Sequence, residues 1–587
     1  MMSDNPAEIA SKEALRSVFS AIKNKQHFRL EAGAGAGKTY SLIHALNRLI
    51  RDSSDEFIKN SKQIACITYT NVAKDEINER TDNHPLIYSE TIHAFCWNLL
   101  KGFQAQLRNE IYQLSERWIQ RIKESEGIQY QKVVYDLGYP KIDEFQISLH
   151  HDDVIKLMVL FLAKSKFRLM LQSKFPIIFI DEYQDTNKEL AAAIVKYLVD
   201  QDSGVLIGFF GDHWQKIYGS NACGLIKSSK SNILEIGKKV NFRSDKNIVA
   251  CLNRLRPELP QIEADPKSNG EITVYHSNNW VGDRRAGGPG GHWKGDLPQD
   301  ESQRYFERVK KSLVSQGWNF NEGDSKVLFL TNNAIATEQG FKELADCFRD
   351  TDDYLKKGDH YIKFFCDIVE PVCEAFQLKN YGKLFSVLNK KELQLTKQAD
   401  KKIWIDMLTN LNLLRETGTV GDVISMLKEQ KRPRLSPKVE QLERRFNQLQ
   451  SIEDEDCTDS ELRLKNKIKN LKEVKYSEVI KLVDYINDKT PFSTKHGVKG
   501  AQFDNVLIVL GRGWNHYNWD QLFVWLKDGF PKDKTDTFER NRNLFYVACS
   551  RAKKRMSLLI TQELSQNALD ELSYIFGKNN IIGDPLN

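Results

Sequence analysis

The run Ala32-Gly-Ala-Gly-Ala-Gly37-Lys38-Thr39 follows a short apolar stretch containing Phe28 and Leu30 and opens a helical pattern from Tyr40 to Ile50. A strand, a glycine-rich loop and a helix in that order make a cradle for a phosphate chain. The backbone N–H groups of Gly33, Ala34, Gly35, Ala36 and Gly37 wrap an anion at the helix N-terminus, with Tyr40 at the border of the site. Lys38 sets a point charge on the β/γ-phosphates, and Thr39 can ligate Mg²⁺. Ala32 stands where the strict pattern has glycine. A Gly/Ala-rich turn with an accidental Lys-Thr is the bland alternative, disfavoured because strand and helix flank the loop as the motif requires. Alone, the motif implies binding of a nucleoside triphosphate.

The chain has 587 residues, about four times a typical domain, so several cores are expected. Its 41% hydrophobic and 28% charged content is that of an ordinary globular protein. A net charge of +6 permits a polyanionic partner without demanding one, so any basic groove must be local. The nine cysteines never form a C-x-x-C pair, which argues against a zinc or iron–sulfur site and for reduced thiols in a cytoplasm. No apolar signal core opens the chain and no 18-residue apolar run occurs, so no membrane role is expected. Val154–Ala163, interrupted by Lys156, reads as a buried helix.

Short β-rich runs recur between helical stretches, at 64–69, 177–180, 205–210, 272–275, 327–331, 506–510 and 556–560. Apolar strands alternating with helices predict parallel, doubly wound sheets. Residues 97–149 read as helical and polar, and 348–474 as helical, charged and strand-poor; both look like insertions into an α/β framework. Gly282–Pro298 reads as a flexible connection, since no helix pattern follows directly. Around Leu464, Ile468 and Leu471, the lysines 465, 467, 469 and 472 read first as a solvated helix face, and second as a nucleic-acid surface.

About 140 residues after the phosphate loop stands Pro176-Ile-Ile-Phe-Ile-Asp181-Glu182-Tyr183-Gln184-Asp185-Thr186. Strands of α/β sheets empty onto the ligand crevice at their carboxyl ends. There Asp181 can hold Mg²⁺ through water, and Glu182 can orient and deprotonate the water attacking the γ-phosphate. Together with the phosphate loop, this segment resembles superfamily 1 DNA helicases of the UvrD/Rep/PcrA type. Six further segments resemble that family's motifs in order: Thr68–Arg80, Thr91–Phe95, Gly211–Tyr218, Asn241–Ser244, Thr494–Asp504 and Asn543–Ala552.

The resemblance implies a superfamily 1A enzyme with two RecA-like P-loop domains, parallel sheets flanked by helices, and two mainly helical insertion subdomains. The first domain would span 1–96 and 150–240 around an insertion at 97–149, and the second 241–347 and 475–587 around an insertion at 348–474. It implies ATP and Mg²⁺ as cofactors and 3′-to-5′ movement on single-stranded or tailed DNA. Gln215 would sense the γ-phosphate, Phe242 would stack on adenine, and Arg243 and Arg551 would neutralise the γ-phosphate when the cleft closes. Arginine suits this task because its planar fork is always charged. Tyr69, Thr70 and Asn71 in the first of these motifs, Thr91, His93, Tyr218, Thr494 and His496 would contact DNA, the tyrosines by base stacking.

The chain departs from the pattern in places. No glutamine near Glu8–Arg16 stands in a convincing context to read adenine, and Gln502 replaces the acid that normally contacts ribose. Ser220 takes the place of a tryptophan, leaving Trp214 as a nearby substitute for stacking. The compact length and the run Gly511–Trp519 resemble the UvrD-like subunits of Gabija-type anti-phage systems, which accompany an OLD-family nuclease. Ser220 and the small second insertion favour a second reading: a DNA-sensing regulatory ATPase that activates a partner nuclease without processive unwinding.

Overall fold

The computed structural model describes residues 5–583 except 126, 136–139, 218–220, 289–292, 321–322, 331–335, 337–338, 389–396, 488–489, 491, 495–500 and 512–516. The side chains of 492–494 lie outside the description as well. In chain order, β1 (Phe28–Ala32), β2 (Ile64–Thr68) and β3 (Ile87–Thr91) precede a small insertion sheet of β4 (Lys132–Tyr135), β5 (Lys141–Ile142) and β6 (Gln146–Leu149). Then follow β7 (Ile177–Asp181), β8 (Leu206–Gly211) and β9 (Leu234–Lys238), and a two-stranded ribbon of β10 (Val240–Asn241) and β11 (Ile262–Glu263). The rest are β12 (Glu271–His276), β13 (Ser325–Phe329), β14 (Phe492–Thr494), β15 (Phe503–Leu510), β16 (Ala552–Ile560) and β17 (Ile581–Ile582).

These strands build two six-stranded sheets, ordered β3-β2-β7-β8-β1-β9 and β14-β13-β15-β16-β12-β17. Every pairing within both sheets is parallel. Parallel strands covered by helices on both faces must be apolar nearly throughout. β1, β2, β7 and β8 meet that demand, with every residue buried. At the centre of the first sheet the rings of Phe28, Phe179 and Phe210 meet edge-on, 5.3–6.0 Å apart. They can do so because residue 208 has no side chain: a Cβ there would come within 2.6 Å of Phe28 and 2.8 Å of Phe179.

Three sequence expectations need correction. Residues 97–149 are not wholly helical, since β4, β6 and β5 form a sheet of their own. Their short polar strands alternate too briefly to show a period of two. The glycine-rich stretch does lead directly into a helix, Gln299–Ser315, whose buried face is Tyr305, Phe306, Val309 and Leu313. And β3 and β9 were not visible as strands, because each is only partly buried and carries polar residues. The buried helix expected at 154–163 is present as His151–Leu162.

The stretch 348–474 is all-helical among the described residues, including Gln398–Thr417, Val420–Gln430, Pro437–Gln450 and Asp459–Glu473, and the next helix, Tyr476–Ile486, packs on it. It shares one continuous core with the neighbouring sheet, running from Phe306 and Phe329 to Trp404, Ile424 and Tyr476. Its lysines serve that packing: Lys465 pairs with Asp454, Lys467 with Asp359 and Lys472 with Glu443, at 2.7–2.9 Å. Three of the four lysines are thus ion-paired within this stretch.

Beneath them, Arg415 and Glu370 form a two-pronged ion pair with both side chains 7% exposed. Removing one partner strands the other charge in the interior. Arg415→Met is expected to lower stability by about 3–5 kcal/mol, read by chemical denaturation, with hydrogen exchange rising first in residues 398–486. An unchanged midpoint would contradict this account of the insertion.

Candidate functional site

The phosphate loop connects β1 to the helix Lys38–Lys59. Gly35 and Gly37 both take φ +73°, a left-handed backbone that glycine adopts without strain. Lys38, the first helical residue, extends its ammonium 2.5 Å from the Glu182 Oε1 carboxylate at the end of β7. Gln184 Nε2 donates to the other Glu182 oxygen at 2.6 Å. Glu182 itself sits at φ +49°, a strained position for a side-chain-bearing residue and of a kind found at active sites. Burial works against the Lys38 charge, but Glu182, Asp181 and Asp212 outweigh it and hold the ammonium above its ordinary pKa. Asp181 is buried beside this pair. The hydroxyl of Thr39 and the Asp181 carboxylate are hard oxygen donors of the kind Mg²⁺ takes.

The second sheet's lobe closes on the same loop. Phe242 N donates to Gly35 O at 2.9 Å, Gln261 Nε2 to Ala34 O at 3.1 Å, and Ala34 N to the Tyr546 hydroxyl at 3.3 Å. Tyr40 and Phe242 are both 47% exposed and flank Gly37, leaving two aromatic faces at the mouth of the loop. Between them and the core, the buried Lys238 ammonium donates to Gly37 O at 3.0 Å and Ser41 Oγ at 2.8 Å, and burial lowers its pKa to about 8.

Both predicted arginines lie in this cleft. The Arg243 Cβ abuts Gly35, while its guanidinium donates to Gln502 Oε1 at 3.1 Å and Ser550 O at 2.8 Å. Gln502 is thus engaged with an arginine here, alongside the ribose role the family resemblance gives it. Arg551 is wholly buried, donating to Val547 O, Ala501 O and Ser550 Oγ. Burial, and then the like charge of Arg243, push its pKa down to about 9, against the pull of Tyr546, Glu182 and Asp212. Two cations held this close favour an anion between or beside them.

The segment after β8 joins the lobes. Gln215 Nε2 donates to Asp212 Oδ2 at 2.9 Å, and Asp212 is fully buried. Trp214, considered above as a base-stacking surface, is only 4% exposed and packs into the second lobe's core with Leu252, Leu255 and Tyr546. The Arg542 guanidinium lies 3.8 Å from its ring centre. Sequence reasoning missed Lys238, Arg256, Gln261 and Arg542 as site neighbours; the first three lie outside the family-like segments, and Arg542 directly precedes the last of them. Glu31, Asp212 and His213 cluster closely enough to suggest a metal site. The Arg29 and Arg256 guanidiniums already face these carboxylates, so the cluster is an ion-pair network.

The DNA candidates occupy the other half of the same sheet edge. β3 and β2 end at Thr91 and Thr68, beside β7, so Tyr69, Thr70, Asn71, Thr91 and His93 line up next to the Asp181–Glu182 corner. Tyr69 is 43% exposed. Thr70 caps the helix Asn71–Arg80 by accepting from Ala73 N at 3.2 Å, and Thr91 precedes the helix Ile92–Leu100. The His93 ring meets that of His151 edge-on at 5.0 Å, and burial followed by His151 lowers its pKa. Tyr218, Ser220, His496 and the Thr494 side chain lie outside the described residues.

A family model described as an AAA domain matches residues 15–221, and one described as a UvrD-like helicase C-terminal domain matches 329–563. The chain is 24% identical to the Gabija protein GajB of Bacillus cereus (strain HuB5-5), covering 97% of each. It is 27% identical to that of Bacillus cereus (strain VD045) over 35% of this chain and 42% of the relative. It is 26% identical to the ATP-dependent DNA helicase PcrA of Staphylococcus aureus over 42% of this chain and 40% of that protein. No helix among the described residues is long and apolar enough to cross a membrane.

The closeness of the second lobe to the loop gives a direct test. A Cβ at residue 35 would come 2.5 Å from Asn241 Oδ1 and 2.7 Å from Arg243 Cβ, on a backbone unfavourable to it. Gly35→Ala is expected to weaken nucleotide binding by at least roughly tenfold, the equivalent of the 1–3 kcal/mol that such backbone strain costs, while the circular dichroism stays unchanged. Wild-type affinity in a fluorescent-nucleotide titration would refute the contact.

Proposed function

We propose, from the premise that the chain belongs to the UvrD-like helicases, that it hydrolyses ATP with Mg²⁺ while moving 3′-to-5′ along single-stranded DNA. The observation that carries this reading is the meeting of groups from both lobes at one loop: Lys38, Asp181 and Glu182 from the first, Arg243 and Arg551 from the second. Phosphoryl transfer needs positioning and charge neutralisation more than covalent chemistry. Lys38 exchanges its Glu182 partner for the phosphates, which releases Glu182 to orient and deprotonate the attacking water. Thr39 and Asp181 would hold Mg²⁺, which would supply charge neutralisation at the phosphate oxygens. Tyr40 and Phe242 receive the base between their faces. Arg243 and Arg551 contribute only when the lobes are together, which couples hydrolysis to lobe movement.

DNA, in this reading, runs across the ends of β3 and β2, where Tyr69 stacks a base and His93 and Thr91 meet the backbone. A second reading is favoured by one finding: the similarity to a Gabija protein runs the whole length, whereas that to PcrA covers less than half. In it the chain uses ATP as a switch on DNA and activates a partner nuclease, of the OLD family, without processive unwinding. Strand displacement on tailed duplexes by the isolated chain separates the two, since vigorous unwinding removes the need for the second.

Two outcomes are expected. Lys38→Ala should reduce DNA-stimulated ATP hydrolysis by roughly 10²–10³-fold, measured by phosphate release; turnover at the wild-type rate would remove the site assignment. The pKa values of His93 and His151 are both lowered, chiefly by burial, so both are neutral at pH 7 and gain charge only on acidification. Single-strand affinity should therefore rise only on acidification below the ordinary histidine range, and this rise should vanish in a His93→Gln/His151→Gln variant. A rise that survives the double substitution would remove these histidines from the DNA path.

A further inference from the structure

Arg256 is a buried cation that touches both Asp212 in the loop of Gln215 and the neighbours of the phosphate loop, and no motif includes it. It caps the helix Lys246–Leu255, which packs on β12, β16 and the helix Gln566–Phe576, so it belongs to the second lobe. Its side chain nevertheless crosses to the first lobe and is 2% exposed. Nη1 donates to Asp212 Oδ1 at 2.7 Å, and Nη2 stands 3.8 Å from Glu31 Oε2. The guanidinium lies 5.2 Å from the Trp214 ring centre and 5.6 Å from that of Tyr546, whose hydroxyl accepts from Ala34 N in the phosphate loop.

Asp212 is the pivot. Its Oδ1 accepts from Arg256 and from Trp214 N at 3.0 Å, and its Oδ2 accepts from Gln215 Nε2 at 2.9 Å. A carboxylate has no donor, so Gln215 must turn its amide nitrogen toward Asp212. One N–H is thereby committed, and the amide plane, its carbonyl oxygen and its second N–H are set in direction. We propose that Arg256 is a positioning residue for ATP hydrolysis: from the second lobe it orients Asp212, which in turn holds the Gln215 amide in its working direction. Rotation of the lobes that draws Arg256 from Asp212 releases Gln215, so the sensor is set only while the lobes are together. The inference rests on the proposed role of Gln215 and adds the lobe-to-lobe link that sets it.

The test compares the full-length wild-type, Gln215→Ala, Arg256→Gln, Arg256→Lys and Arg256→Gln/Gln215→Ala chains. Nucleotide affinity, thermal unfolding and DNA-stimulated turnover at saturating ATP are measured for each. Arg256→Gln should cut turnover on the order of 10–100-fold, with nucleotide affinity nearly unchanged. Arg256→Lys, which keeps the charge with a single prong, should recover part of that loss. The double variant should be no slower than Gln215→Ala alone, because both substitutions act through one amide. Asp212→Asn, which can donate and so lets the amide reverse, should show the same turnover loss and serves if Arg256→Gln does not fold. Wild-type turnover in Arg256→Gln, an additive double variant, or equal loss of affinity and turnover would each overturn the inference. A wild-type chain without ATPase activity would speak against the proposed function instead, which keeps the two failures apart.

Discussion

The carboxylate of Asp212 is withdrawn from water, and a buried charge survives only where its partners are fixed around it. Those partners come from both lobes: Gln215 and the Trp214 N–H from its own segment, and the Arg256 guanidinium from across the cleft. Around that pair, Trp214 is seated in the apolar core of the second lobe, and Asn543 Nδ2 donates to His213 O at 3.1 Å and Lys216 O at 3.3 Å. The two sheets are thus joined at the segment that follows β8, the strand lying between the Glu182 strand and the phosphate-loop strand.

The electrostatics of the cleft follow from the same crowding. Lys38 and Arg551 feel the charges of Glu182 and Asp212, and Arg542 that of Asp212, while burial depresses the pKa of Arg542 to about 10 and that of Arg551 to about 9. Cations in this condition are poorly solvated, so a phosphate chain gains more from them than it would from the same groups at a surface. The Lys38–Glu182 pair is the complementary device. It pairs a carboxylate at the end of β7 with the cation that opens the phosphate-loop helix.

A parallel sheet also explains how two ligands can share one lobe. All six strands of the first sheet point the same way, so every strand end opens onto the same edge. The phosphate loop takes the β1 side, the acidic corner follows β7, and the exposed Tyr69 follows β2, immediately next to it. The candidate nucleotide and DNA residues are therefore neighbours along one edge.

Much of this was readable from the chain, for physical reasons. A phosphate loop and an acidic strand end are local: the residues that do the chemistry sit within a few positions of the turn that aims them, as at Gly35 and Gly37 with Lys38, or Ile180 and Asp181 with Glu182. Strands buried on both faces announce themselves as apolar runs, as 177–180 does. Short or half-exposed strands such as β3, β4 and β9 do not, because polar residues there satisfy neighbours rather than a period. Nor could the chain alone say that Trp214 is core, that three lysines of the second insertion are ion-paired, or that Gln502 accepts from Arg243. Those facts depend on which distant surfaces meet. The amino-acid order determined the chemistry available at each strand end; only the packing of the two lobes decided which of those groups face one another, because burial and pairing are properties of the contact and not of either partner.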